Sequence, residues 1–484
     1  MKILFIFSLY DIRSSSKPLK SQEQLQFGIS YISSFLRNHG HSTRLIVLSR
    51  TSGKKNWQII DEYLEKFHTD LICFTAVSTE YQFIASTATY IKNRYPDIYL
   101  LVGGSHVSLN PADILSDDFD ALCIGEGEYP ALELVTQLEK GILPSSIPNL
   151  WIKSGSEINR NSPRPFFQDL DTLPFPDREM WQEWIKEQPE SRYSVLLGRG
   201  CPFECTYCCN HALKRLALGD YVRFRTPGSI VTEIKELVSV VPTIKEIYLE
   251  VETIGVNIGW AIALCSQLET FNAMRSQPIS FGVNLRIVPK ADFENLFIAF
   301  KKANFRFINI GLESGSEKIR REILKRNYSN KDIINTVALA RKYGLKVAFT
   351  NMIGLPNETL FDFKETVKIN RQCSPDWSGT YIFFPYPGTK LWSLCKEQGL
   401  LNEPIDTEME RHKATLDLPG FSKKQIQNSY VWFDYNINKG RVPIYKLLPR
   451  VILLKLITRW HWIYNVYQRV LDSTLFRWLI RTLR

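Results

Sequence analysis

The sequence predicts an α/β chain: a doubly wound parallel sheet, then a (β/α)6 partial barrel, then a helical C-terminal tail. Three observations carry that expectation. Residues 2–125 alternate five short apolar runs with amphipathic helical stretches. A second β/α series runs from residue 193 to about 400, and the chain beyond it turns basic and helical. At 484 residues the chain exceeds one ordinary core and implies two domains plus an appendage. The expected division is 1–144, a linker at 145–192, a second domain at 193–400 and a helical region at 401–484. Hydrophobic content of 44% and aromatic content of 12% fit a folded, soluble protein.

The first strand is expected at residues 3–8. The opening run Met1-Lys-Ile-Leu-Phe-Ile-Phe has one charge and no small-residue cleavage site, so it reads as a buried strand rather than a signal peptide. Further strands are expected at 43–48, 70–75, 99–103 and 120–124, with helices at 27–37, 57–67 and 83–94. Such a sheet binds ligands beyond the carboxyl ends of its strands. At those ends stand Thr75-Ala-Val-Ser78, Gly103-Gly104-Ser105-His106 and Gly125-Glu126-Gly127-Glu128. Each is small or glycine-rich, as the approach of backbone to a bulky ligand requires. Pro144, Pro148, Pro163, Pro165, Pro174 and Pro176 then mark the linker, since proline at this density argues against a sheet interior.

Six further strands are expected at 193–197, 246–250, 279–283, 307–311, 346–352 and 378–384, with a site at their carboxyl ends as in complete barrels. After the first of them comes Gly198-Arg-Gly-Cys201-Pro-Phe-Glu-Cys205-Thr-Tyr207-Cys208-Cys-Asn. Spacings of four and three can bring three thiolates to three corners of one iron–sulfur cube, leaving one iron open. Zinc would need a fourth ligand, and only Cys209 and His211 lie close in sequence. A disulfide pair is the other alternative. Nine cysteines without paired spacings suit a reducing, cytoplasmic compartment.

This loop resembles that of the radical SAM superfamily, and with the three turns of the first domain the chain resembles its cobalamin-binding members, the class B methylases. The likeness covers nearly all of residues 1–400. It implies a Rossmann-like cobalamin-binding domain, a TIM-type partial barrel and three cofactors: a 4Fe-4S cluster on Cys201, Cys205 and Cys208, S-adenosyl-L-methionine (SAM) on the open iron, and cobalamin. In the family an electron from the cluster cleaves SAM to a 5′-deoxyadenosyl radical. By the same resemblance Tyr207 lies near the adenine and Glu313, in Gly311-Leu-Glu-Ser-Gly315, faces SAM. Arg286 pairs with the methionyl carboxylate, and Gly354 opens backbone to the adenine. Glu250 or Glu252 contacts the amino group, although the aromatic that often follows is missing. Thr75, Ser78, Gly103, Gly104, His106, Gly125 and Glu126 would line the cobalamin site. The family's Asp-x-His-x-x-Gly is replaced by Tyr10-Asp-Ile-Arg-Ser-Ser. Cobalt is therefore expected to have no lower protein ligand, with His106 the one substitute.

The resemblance implies methylation of an unactivated carbon of a small-molecule or lipid substrate, with electrons from a reductant such as flavodoxin or ferredoxin. Cyclisation or rearrangement without methyl transfer is the alternative. A tRNA methylthiotransferase would need N-terminal cluster cysteines, and only Cys73 and Cys123 occur there. A cobalamin-binding regulatory protein would have no use for the cysteine loop. Residues 441–484 carry nine Lys/Arg and one acid, Asp472, and so hold +8 of the net +10. The nearly neutral body argues against nucleic acid. The tail's Trp460, Trp462 and Trp478, with Lys455/Arg459 and Arg477/Arg481 at i,i+4, suggest either an interfacial helix making peripheral membrane contact or a helix docked on the barrel.

Overall fold

The computed structural model describes residues 1–9, 18–19, 21–50, 52–185, 192–401, 407 and 410–460. Its first sheet opens with β1 (Lys2–Leu9), β2 (Ser42–Ser49), β3 (Leu71–Thr75), β4 (Tyr99–Gly103) and β5 (Ala121–Cys123), all parallel. Their near-continuous apolar runs are what strands covered on both faces need. The covering helices are α1 (Phe27–Asn38), α2 (Lys55–Phe67), α3 (Tyr81–Arg94), the short α4 (Ser105–Leu109) and α5 (Glu128–Glu139). The strand order β2-β1-β3-β4-β5 reverses direction between β1 and β3, which places the ligand crevice at their carboxyl ends.

The stretch expected as a linker does more than connect. β6 (Leu150–Ser154) and β7 (Glu157–Arg160) form an antiparallel hairpin that extends the sheet beyond β5 to seven strands. The prolines flank this hairpin and lie outside its strands, so proline density marked the borders of an edge and not an absence of sheet. Farther on, Trp181 is fully buried and Trp184 nearly so, both in the first core. Trp181 Nε1 donates to Ser30 Oγ at 2.8 Å and Trp184 Nε1 to the Leu45 carbonyl at 3.0 Å.

The second sheet is all parallel in the order β15-β14-β13-β12-β11-β8. It comprises β8 (Arg192–Leu196), β11 (Glu246–Glu250), β12 (Ser280–Leu285), β13 (Phe305–Glu313), β14 (Lys346–Ile353) and β15 (Trp377–Ile382). A small antiparallel pair, β9 (Gly198–Arg199) with β10 (Arg223–Phe224), brackets the cysteine loop and its helix α6 (Asn210–Leu213). Outer helices α7 (Pro227–Val240), α8 (Ile258–Ala273), α9 (Phe293–Lys302), α10 (Asn330–Lys342) and α11 (Leu360–Cys373) cover the strands. Phe297, Phe300 and Phe305 stack in that core. The six expected β/α units are thus present, open between β8 and β15.

C-terminal to the barrel lie α12 (Lys390–Glu397), α13 (Lys423–Asn438) and α14 (Ile444–Arg459). α13 buries Ile426, Tyr430, Val431, Phe433 and Ile437 in a cluster with Ile353, Phe363 and Phe383. α14 packs on α13 through one side, with Leu447, Val451 and Ile457 buried. Its other side leaves Ile444, Tyr445, Leu448 and Ile452 exposed. Trp462, Trp478, Arg477 and Arg481 lie outside the described residues. No described helix is long and apolar enough to cross a membrane.

Candidate active site

The cysteine loop leaves the barrel through two glycines that tolerate no side chain. A Cβ on Gly198 would lie 2.4 Å from the Arg223 carbonyl oxygen, and one on Gly200 (φ +84°) 2.0 Å from that of Tyr221. β9 is thereby pressed against β10, which fixes where the loop begins. Cys201, Cys205 and Cys208 are free thiols. His211 holds them without competing as a ligand: Nδ1 lies 3.1 Å from the Cys205 carbonyl and also contacts that of Cys208, while Nε2 accepts from the Lys390 N–H at 3.3 Å. Thr206 Oγ1 donates to the Ile323 carbonyl at 2.5 Å, anchoring the loop from a second side. The Cys209 thiol, assisted by the Asn210 N–H, holds the Cys208 thiol down to about 7, and the same bond drives Cys209 up. Burial pushes Cys201 to about 11. Among the described residues no three ligating side chains converge on a single ion. A cluster asks less, since each cysteine binds a different iron and the sulfurs stand farther apart.

Two of the expected SAM contacts, Tyr207 and Glu313, meet around one buried cation, Arg326. Tyr207 Oη donates to Glu313 Oε1 at 2.9 Å, and Arg326 Nη1 reaches the same oxygen at 3.1 Å and the Tyr207 hydroxyl at 2.8 Å. Glu313 sits at φ +60° where the β13–β14 register shifts. A Cβ on Gly311 would lie 2.3 Å from its carboxylate, so glycine there makes its room. Arg326 is locked further by Tyr328 Oη at 3.0 Å and the Gly311 carbonyl at 2.8 Å. Sequence reading missed Arg326 and Tyr328, because Lys325-Arg-Asn-Tyr328 reads as a solvated turn. The Gly354 N–H, expected to face adenine, donates to Glu358 Oε2 at 2.6 Å, and a Cβ on Gly354 would press Ile426 of α13 at 3.0 Å.

Glu250 and Glu252 separate. Glu250 points into the barrel, where burial, then Glu23 and Glu252, raise its carboxyl to about 7. Glu252 is exposed and lies near enough to Cys201 and Cys208 to oppose the ionisation of both, an effect that at Cys208 is smaller than the lowering by Cys209. Deeper in the barrel Tyr248 Oη and Asn309 Nδ2 both donate to Asn284 Oδ1, at 2.6 and 3.0 Å, while Asn309 Oδ1 is buried without a partner. Arg286 meets neither glutamate in a salt bridge: its Nη1 donates to Cys205 Sγ at 2.6 Å.

The three turns of the first domain lie at the carboxyl ends of β3, β4 and β5. Gly104 (φ +105°) admits no Cβ, which would fall 2.5 Å from the Ala76 carbonyl oxygen; one on Gly103 would only touch Cys123 Cβ at 3.4 Å. The tight turn joins the loops after Thr75 and Gly103 into one surface. Gly125 (φ +87°) donates its N–H to Ser108 Oγ at 2.9 Å. Ser78 Oγ lies 3.1 Å from His106 Nδ1, which also accepts from Asn110 Nδ2 at 3.3 Å. Burial lowers the ring's pKa, which favours the neutral imidazole. Glu126 is already committed: it accepts from Arg199 at 3.0 Å, Arg223 at 2.9 Å and the Phe167 N–H at 2.9 Å. With Glu128 on Arg199 at 2.5 Å, it clamps the β5 turn to the strand that enters the cysteine loop.

The two half-sites touch. α4 packs against α6, the helix leaving the cysteine loop, and Asn110 Nδ2 reaches the Pro387 carbonyl at 3.5 Å. Residues 195–369 match the Radical SAM superfamily model, and residues 22–135 match the B12 binding domain model. This is a radical SAM protein with a B12-binding domain. Its cofactors are accordingly a 4Fe-4S cluster, SAM and cobalamin, and the loop of free thiols and the glycine-lined strand ends fit them. This radical SAM chain is 26% identical over 460 residues to an uncharacterized methyltransferase of Pyrococcus horikoshii, covering 94% of each. It is 24% identical over 373 residues to the anaerobic magnesium-protoporphyrin IX monomethyl ester cyclase of Rubrivivax gelatinosus, covering 75% of this chain and 65% of that one. Its fold is shared with OxsB, a cobalamin-dependent S-adenosylmethionine radical enzyme solved with aqua-cobalamin bound (TM-score 0.68, 17% identity, 94% of this chain and 72% of that chain). It is shared too with the radical S-adenosylmethionine methyltransferase TsrM of Kitasatospora setae, solved with cobalamin and a [4Fe-4S] cluster (TM-score 0.63, 17% identity, 84% and 76%).

Proposed function

We propose that this enzyme methylates an unactivated carbon of a small molecule. The observation that carries the reading is the packing of α4, at the cobalamin-binding strand ends, against α6 behind the cysteine loop. A methyl donor and a radical source acting on one carbon must flank it, and this contact supports reading both sites as sharing one barrel mouth. When bound, the cluster and SAM supply the hydrogen-abstracting radical, and cobalamin supplies the methyl group. The chain's own residues place and shield: Cys201, Cys205 and Cys208 hold the cluster, and the Tyr207–Glu313–Arg326 network braces the SAM side. Glu252 beside the thiols is the amino-group contact, and Glu250 and Asn309 face the substrate inside the barrel. The names of the Pyrococcus horikoshii relative and of TsrM support methyl transfer. A methylthiotransferase is disfavoured because Cys73 and Cys123 are buried in the first core and offer no second cluster loop. The resemblance to a cyclase keeps oxidative cyclisation as the second reading. Anaerobic reconstitution with iron, sulfide and cobalamin, a flavodoxin- or ferredoxin-type reductant, and SAM tests the choice. Methylated product alongside 5′-deoxyadenosine supports the first reading, and deoxyadenosine with an unmethylated product supports the second.

We place the enzyme in a reducing, cytoplasmic setting, which its nine unpaired cysteines suit, and in peripheral contact with a membrane through α14. The exposed Tyr445, Leu448 and Ile452, with Lys455 and Arg459 on the same side, support that contact and a membrane-borne substrate.

A further inference from the structure

Arg286 follows β12 directly, and its guanidinium is held from several directions. Its backbone N–H donates to the buried Thr253 Oγ1 at 2.9 Å, which fixes where the side chain starts. The guanidinium carbon stands 3.7 Å from the centroid of the Phe203 ring, and Nη1 donates to Cys205 Sγ at 2.6 Å. Phe203 lies inside the cysteine loop itself, two residues before Cys205, so the loop carries its own docking surface for this cation. Arg286 is only 9% exposed. A cation this buried is costly unless an anion faces it. The buried carboxylate of Glu313 is taken by Arg326. The group that Arg286 meets is the Cys205 sulfur, which would carry the facing negative charge as a cluster ligand.

We propose that Arg286 is a positioning residue that sets the reduction potential of the iron–sulfur cluster through Cys205. The inference rests on the reading of Cys201, Cys205 and Cys208 as the cluster's ligands. One-electron reduction, by a flavodoxin- or ferredoxin-type donor or by a chemical titrant, adds one negative charge to the cluster and its thiolates. A permanent positive charge hydrogen-bonded to one of those sulfurs stabilises the reduced state more than the oxidised state, and so raises the potential. Arginine suits the task because it cannot lose its charge and its flat fork both stacks on a ring and donates in plane.

The test is a potentiometric titration of the reconstituted enzyme, without SAM, followed by electron paramagnetic resonance of the reduced cluster. Arg286→Met keeps the side-chain length and removes the charge. At the wild-type midpoint its reduced-to-oxidised ratio should fall about tenfold, a shift of about 59 mV to lower potential for one electron. Arg286→Lys should stay close to wild type. Phe203→Leu, which loosens the guanidinium without touching the charge, should shift the same way by less. An intact cluster in Arg286→Met at the wild-type potential overturns the proposal. Should that variant hold no cluster, Phe203→Leu decides: a lowered potential supports the proposal, and an unchanged one overturns it. Absence of iron and sulfide from the reconstituted wild type is a different failure, since it removes the functional reading on which the proposal rests.

Discussion

Cys208 and Cys209 are adjacent thiols with opposite fates. The hydrogen bond between them lowers the Cys208 thiol and raises that of Cys209. Alanine at Cys201, Cys205 or Cys208 should therefore abolish both the cluster's visible absorbance and 5′-deoxyadenosine formation, while Cys209→Ala should keep the cluster. Loss in Cys209→Ala with retention in Cys208→Ala would move the register by one. His106 gives a second residue-scale expectation. Its Nδ1 is engaged by Ser78 Oγ and Asn110 Nδ2, a role inside the loop rather than at cobalt. His106→Ala should leave the electron paramagnetic resonance spectrum of bound cobalamin free of any lost nitrogen coupling. Glu250 gives a third. Its carboxyl titrates at about 7 in the fold against an ordinary 4.5. Between those values the folded chain keeps a proton that the unfolded chain has lost, so stability falls as pH rises through that window. Glu250→Gln should raise the melting temperature of the cofactor-free protein at pH 8 and barely alter it at pH 4. Tyr207, Glu313 and the cysteines were legible because each stands in a local motif. Arg326 and the Cys205 contact of Arg286 were not, since both depend on which strand ends the barrel brings together.

At the scale of elements the parallel strands were legible from their apolar runs, and the strand bounds fell within a residue or two of those expected. The β6–β7 hairpin was missed because its strands are short and half-polar, and prolines on both sides outweighed the alternation in Leu150-Trp-Ile-Lys-Ser154. The turns at the strand ends were legible as glycine-rich, but not as unequal. Gly104 combines positive φ with a backbone clash, whereas Gly103 has neither. Gly104→Ala should cost about 1–3 kcal/mol or more of stability, and Gly103→Ala should cost well under 1 kcal/mol by denaturant unfolding. The β5 turn carries another such difference. Glu126 accepts from two arginines, one of them almost fully buried. Removing the carboxylate leaves those cations uncompensated, so Glu126→Ala should destabilise by about 3 kcal/mol.

Across the whole molecule, two domains and a helical C-terminal region were legible, and the way α14 is used was not. A sequence of repeated cations and leucines reads as one apolar face and one basic face. The fold instead gives α14 two apolar sides, one seated on α13 and one in solvent. Docking and membrane contact, set against each other by the sequence, are therefore compatible. The charge of the region argues for an anionic surface as its partner: residues 441–459 include five cations and no acid, and the remaining tail adds more positive than negative charge. Each well-placed cation contributes about 1 kcal/mol at such a surface, and salt weakens that part alone. Full-length enzyme should co-sediment with vesicles containing phosphatidylserine, and less with purely zwitterionic ones. Replacing the exposed Leu448 and Ile452 together by glutamate should release it while cluster and cobalamin stay bound, since neither site uses α14. Vesicle binding unchanged by that double substitution would leave α14 a docked helix and nothing more.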